Sequence, residues 1–180
     1  QFIEFPVPAG AVEGSVAVDL KIYPSTFSTL IDGLDNILRM PSGCFEQTSS
    51  STWPNVMALG YMRANGMDKP EIAVKATRYI QLGYQRLLGF EVAGGGFDWF
   101  GNPPANPVLT AYGLMEFTDM AKVYPVDAKL LDRTAEWLAS KQTGDGSWQF
   151  TPGIFHEPFT GGDNSPLAIT ALPSTAKGGG

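Results

Sequence analysis

"PSGCFEQTSS", residues 41–50, holds the chain's one cysteine, Cys44, with Gln47 three positions later. An apolar segment runs into Pro41 and another starts just beyond it. A proline ends or kinks a helix at the residue before it, and short polar side chains suit a first helical turn. The stretch therefore marks a junction between two helices, with Cys44 at the start of the second. An idle buried cysteine has no need of a glycine, an acid and an amide beside it.

Reading outward, "STFSTLIDGLDNILRM" (25–40) repeats Leu30, Ile31, Leu34, Ile37 and Leu38 at helical spacing, with Ser25 or Thr26 as cap. Before it, "SVAVDLKIYPS" (15–25) alternates Val16, Val18, Leu20 and Ile22 with polar or small residues, the pattern of a half-buried strand. After it, "CFEQTSSSTWPNVMALGYMRANG" (44–66) reads as a helix that Pro54 should kink or push to a start nearer Thr52. Gly66 stops it. "KPEIAVKATRYIQLGYQRLLGFEV" (69–92) is a third helix with Pro70 at its first position. A glycine-aromatic loop follows to residue 107. Helices are expected over 107–124 and 126–142, then a long loop over 143–165, then a sixth helix over 166–172 cut short by Pro173.

Helix pairs joined by Gly-rich aromatic loops predict a mainly α protein of α/α toroid type, incomplete in this chain and preceded by a short β segment. The expected division is 1–24 for the β segment, 25–172 for the α/α domain and 173–180 for a tail or truncation. The net charge is −6, which argues against nucleic acid as a partner. No apolar run approaches the roughly 20 residues of a membrane span. One Cys and one His cannot build a zinc site, and the triple-glycine runs lack the lysine of a phosphate loop, so neither metal nor cofactor is expected.

Residues three apart on a helical turn share a face, with Cβ atoms roughly 5–6 Å apart. The Cys44 sulfur can therefore meet the Gln47 carboxamide. Attack with loss of ammonia would close an internal thioester and turn an inert amide into an activated acyl group. A helix N-terminus favours an anion, which suits a thiolate leaving group. Gly43 permits close approach or a positive φ. Phe45 and Trp53 are expected to exclude water from the bond. The plainer reading is a small buried residue, since Cys-x-x-Gln also arises by chance.

"LRMPSGCFEQ" (38–47) resembles the thioester motif of the alpha-2-macroglobulin and complement family through Leu38, Met40, Pro41, Gly43, Cys44, Glu46 and Gln47. "AVEGSVAVDLKIYPS" (11–25) resembles the strand of the CUB-like domain that leads into the thioester domain. "YIQLGYQRLLGF", "NPVLTAYGLMEF" and "EWLASKQTGDGSW" resemble later parts of that domain, up to about Leu172. The resemblance implies a thioester between Cys44 and Gln47, with Gly43 and Glu46 as supporting residues and no chemistry for Glu46. It implies that His156, ahead of Gly161-Gly162, attacks the thioester to form an acyl-imidazole. The freed Cys44 thiolate then deprotonates an incoming hydroxyl. Phe45 and the lack of other cysteines point to bacterial members. A lone loop histidine is otherwise surface or scaffold.

The implied function is a single-use covalent protease trap, an endopeptidase inhibitor that acylates a target nucleophile once and does not turn over. Its partners would be a target protease or cell-surface hydroxyls and amines, together with the rest of the macroglobulin chain. Its place would be extracellular, periplasmic or cell-surface. No signal peptide opens the segment at Gln1, which starts in mid-pattern. Three alternatives stand beside it. One is an opsonin-like surface tag, and another an α/α interaction domain with an inert Cys44. The third is a terpene-cyclase-like domain, suggested by Gln142, Asp145, Gly146 and Trp148 but lacking an Asp-rich acid motif. That element is expected to stitch a loop, and Phe97, Trp99 and Trp148 to be core aromatics.

Overall fold

The computed structural model describes residues 33–67 and 69–148, with positions 6, 9–12, 14–19 and 22 ahead of them. The chain divides into two compact units, Gln1–Gly33 and Leu34–Gly180. In the first unit, Ser15 closes a turn by donating its amide (3.0 Å) and hydroxyl (2.7 Å) to the Val12 carbonyl. The expected strand does not form over residues 15–19, and Val16, Val18 and Ile22 are exposed. A strand exists only with a hydrogen-bonded neighbour, and among the described residues none pairs with this segment.

The second unit is mainly helical, as the periodicity predicts. It comprises α1 (Phe45–Ala64), α2 (Pro70–Leu88), a hairpin of β1 (Glu91–Val92) and β2 (Gly96–Phe97), α3 (Pro107–Ala121) and α4 (Ala128–Ser140). Most of α3 is buried around its circumference. In α2 the buried residues are Ala76, Ile80, Gly83 and Leu87, and in α4 Leu130, Thr134 and Leu138. One stripe at helical spacing belongs to an outer helix, and an all-round apolar surface to an inner one. The start of α1 meets the end of α2, where Arg86 bonds Gly43. The start of α1 also faces α3, where Phe45 lies against Gly113, and Trp53 further along bonds Asp119. Inner helices α1 and α3 thus run in the same direction, with α2 returning between them. Leu138 near the end of α4 packs on Val108 and Ala111 at the start of α3, so α4 also returns. This alternation is one wall of a double-layered α/α barrel.

Three boundaries differ from expectation. The helix expected over 25–40 is seen at 33–37 and has ended before Leu38. Pro41 disfavours helical backbone at Met40, and buried Asn55 takes the Arg39 backbone at both ends, Arg39 N to Oδ1 at 3.1 Å and Nδ2 to Arg39 O at 2.9 Å. α1 runs through Pro54 without restarting near Thr52. The disturbed turn gains a side-chain bond, because Asn55 Nδ2 also donates to Ser51 O at 2.9 Å. α2 ends at Leu88, and Glu91–Val92, expected as helix, forms β1. Gly94 and Gly95, with φ of 103° and 102°, make the hairpin turn that a helix could not accommodate. The loop after residue 148, the helix expected over 166–172 and the tail lie outside the described residues.

Candidate functional site

Cys44 is the N-cap of α1, with extended backbone at φ −73° and ψ −177°. A helix start leaves amide donors without intrahelical partners, and two of them are held by named acceptors here. Phe45 N donates to Trp99 O at 2.9 Å, which ties the loop after β2 beneath the helix. Cys44 N donates to Gln47 Oε1 at 3.2 Å. That is the backward arm of a capping box, with cysteine where serine or threonine usually stands and Gln47 at N3. Its effect is to aim the Gln47 carbonyl oxygen back at Cys44. The two residues that the spacing predicts to meet are brought together.

Gly43 makes room for this. Its φ is +83°, and a Cβ there would lie 2.0 Å from Gln47 Oε1 and 2.9 Å from Gln47 Cδ. Thr48, fully buried, directs Oγ1 at Ser42 O (3.2 Å) and Gly43 O (3.3 Å). Arg86, in the last turn of α2, donates from Nη2 to Gly43 O at 2.7 Å. Asn55 anchors the run before Pro41 to α1. Sequence reasoning missed Arg86 and Asn55, whose partners lie 43 and 16 residues away. The available signals were a basic residue in a last helical turn and an amide two turns after the motif.

Cys44 is half-buried and Gln47 exposed. Phe45 and Trp53, expected to keep water from this pair, point elsewhere. Phe45 is wholly buried against Phe90 and Phe97, at ring distances of 6.2 and 5.3 Å. Trp53 stacks edge-on to Tyr112 at 5.0 Å and donates Nε1 to Asp119 Oδ2 at 3.0 Å. Both follow the inner face of α1 into α3, because a residue at N1 and one two turns later share the core side of the helix. Glu46 lies half-buried in the first turn, where a carboxylate suits the helix dipole. His156 lies outside the described residues.

The Gln142–Trp148 turn stitches a loop, as expected. Trp148 is buried and donates Nε1 to Leu138 O at 2.8 Å, while Gln142 Nε2 donates to Gly146 O at 2.8 Å. Asp145 accepts from the Thr143 hydroxyl and from Ser147 N and Oγ, and these bonds hold its pKa down to about 2. Phe97 is fully buried, and Trp99 is partly so.

Sequence reasoning also missed Glu116, a buried acid in the apolar helix α3. It is fully buried, and neither carboxyl oxygen has a hydrogen-bond partner. Burial pushes its pKa up to about 8, with nearby Ser49 opposing the rise. The same burial, with Glu116 beside it, raises Tyr112.

Comparison with known proteins matches residues 16–174 to the family model of the A-macroglobulin TED domain, the thioester-containing domain. The chain belongs to this macroglobulin thioester-domain family. It is 29% identical over 167 residues to thioester-containing protein 1 (allele S3) of Anopheles gambiae, covering 92% of this chain and 12% of that protein. It is 27% identical over 178 residues to ovostatin of Gallus gallus, covering 98% of this chain and again 12% of the relative. The chain thus spans about an eighth of the length of these curated relatives. Two bacterial structures share the fold with a TM-score of 0.57 over 82% of this chain. A mutant alpha-2-macroglobulin of Salmonella is 24% identical, with 9% of its chain covered. The C-terminal part of alpha-2-macroglobulin from Escherichia coli is 22% identical, with 22% covered. Macroglobulin thioester domains are thus the setting in which the Cys44–Gln47 capping box stands. No helix among the described residues is long and apolar enough to cross a membrane.

Proposed function

We propose that this domain carries an internal thioester between Cys44 and Gln47 and serves as the single-use acyl donor of a macroglobulin-like covalent protease trap. The observation that carries the reading is the bond from Cys44 N to Gln47 Oε1 over the bare face of Gly43. It holds the carboxamide beside the thiol and polarises the carbonyl that the sulfur attacks. Cys44 Sγ bonds to Gln47 Cδ, the Cδ–Nε2 bond breaks, and ammonia leaves with the thiol proton. Negative charge gathers on Oε1 during the attack, where a backbone N–H at a helix N-terminus stabilises it. In the second stage a target amine or hydroxyl attacks Cδ, the Cδ–Sγ bond breaks, and Cys44 leaves as thiolate and takes up the proton that the nucleophile loses.

An amine is nucleophilic enough for that second stage alone. A hydroxyl needs help, which His156 would give by first taking the acyl group onto its imidazole. Cys44 and Gln47 are then the reacting residues, His156 the intermediate acyl carrier, and Gly43 and Glu46 the support. The rest of the macroglobulin chain would cover the half-buried Cys44 and exposed Gln47 until activation, at an extracellular, periplasmic or cell-surface location. Intact mass tests the reading. A native chain lighter by one ammonia, with no free thiol, supports the thioester. A free Cys44 with an unmodified Gln47 refutes it.

A further inference from the structure

Gly43 C=O and Cys44 N–H are the two ends of one planar peptide unit. In a trans peptide they point in opposite directions, so fixing the oxygen fixes where the N–H aims. Arg86 Nη2 donates to that oxygen at 2.7 Å, and the N–H at the other end donates to Gln47 Oε1 at 3.2 Å. Among the described residues the Arg86 guanidinium makes this bond and no ion pair. Its side chain comes from the exposed face of α2, so the bond is not a by-product of core packing. Gly43 has no side chain to hold its peptide, and its φ of +83° is one of several that glycine visits freely. Thr48 Oγ1, at 3.3 Å, is the weaker second donor to the same oxygen.

We propose that Arg86 is a positioning residue for acyl transfer at Gln47. Its guanidinium locks the 43–44 peptide plane so that the Cys44 N–H meets the oxygen on which negative charge develops. A cation on the carbonyl end also draws electron density from the peptide and makes its N–H a stronger donor. Arg86 touches no reacting atom and acts only through the peptide. The same N–H serves thioester formation and later attack on the thioester, because both pass through a tetrahedral centre at Gln47 Cδ. Arginine suits this place better than lysine, since its planar fork is preorganised where an ammonium is a mobile point charge.

This rests on the thioester reading, and the two can be separated. In the intact chain, the second-order rate of thiol release by methylamine is measured for wild type, Arg86→Met and Arg86→Lys, normalised to thioester content. Arg86→Met should react about fivefold more slowly, the factor that one ordinary net hydrogen bond supplies. Arg86→Lys should recover part of the rate, and all three should share one melting temperature. An Arg86→Met rate equal to or above wild type overturns the proposal. The Cys44 amide is then followed by hydrogen exchange in Cys44→Ser chains, which form no thioester, with and without Arg86→Met. Faster exchange on losing Arg86 supports the positioning role even if wild type releases no thiol and the thioester reading falls. Unchanged exchange overturns it.

Discussion

Gly43 is where a single methyl group decides the site. A Cβ there would overlap Gln47 Oε1 at 2.0 Å, and alanine at φ +83° costs about 1–2 kcal/mol. Gly43→Ala should therefore fold with a small stability loss and form no thioester, checked by intact mass beside a thermal melt. Asn55→Ala should be worse for stability, because it strips partners from the Arg39 N–H and C=O and from Ser51 O at a fully buried position. A loss of about 2–3 kcal/mol in urea unfolding is expected. For His156 the expectation is chemical. His156→Asn should shift labelling from glycerol towards methylamine in chains of equal thioester content, and an unchanged ratio would remove it from the mechanism. Cys44 and Gln47 could be paired from sequence because i and i+3 are neighbours on any helix. Arg86 and Asn55 could not be, because their partners come from other turns of the chain and only the fold brings them near.

At the scale of elements, α1 and α3 enclose an acid that the core does not satisfy. Glu116 has both oxygens unpaired, Ser49 and Tyr112 as polar neighbours, and a pKa raised from 4.5 to about 8. A raised carboxyl pKa means the folded state holds the proton more tightly than the unfolded one. Stability from this group is then full below about pH 4.5 and is lost as pH rises through about 8. Melting temperature should decline across that window in wild type, and Glu116→Gln should flatten the decline. A wild-type profile already flat from pH 5 to 9 would show that Glu116 finds partners. Helix periodicity placed α2, α3 and α4 to within a few residues, because apolar residues recur along each at helical spacing. It failed at Pro54, which α1 passes with Asn55 Nδ2 bonding Ser51 O in the same turn, and at Glu91–Val92, where two positive-φ glycines decide for a hairpin. The expected strand is not formed over 15–19, because strands are paired structures and alternation carries no information about a partner.

At the scale of the whole molecule, alternating inner and outer helices put the start of α1 and the end of α2 at one rim. The loop after β2 joins them there through Trp99. Cys44, Gln47, Gly43 and Arg86 all belong to that rim, which is how a helical wall presents a short reactive segment at its edge. The rim also exposes Met40 and Phe100, 65% and 62% accessible. The family places such a domain within chains about eight times longer, as the 12% coverage of two relatives shows. The most direct test is the intact mass of the chain before and after methylamine, with thiol titration alongside. The native chain should be one ammonia lighter than its sequence and free of thiol, then gain one methylamine at Gln47 and release one thiol at Cys44. A native mass equal to that of the sequence, with Cys44 titrating as a free thiol and methylamine leaving Gln47 untouched, would contradict the thioester.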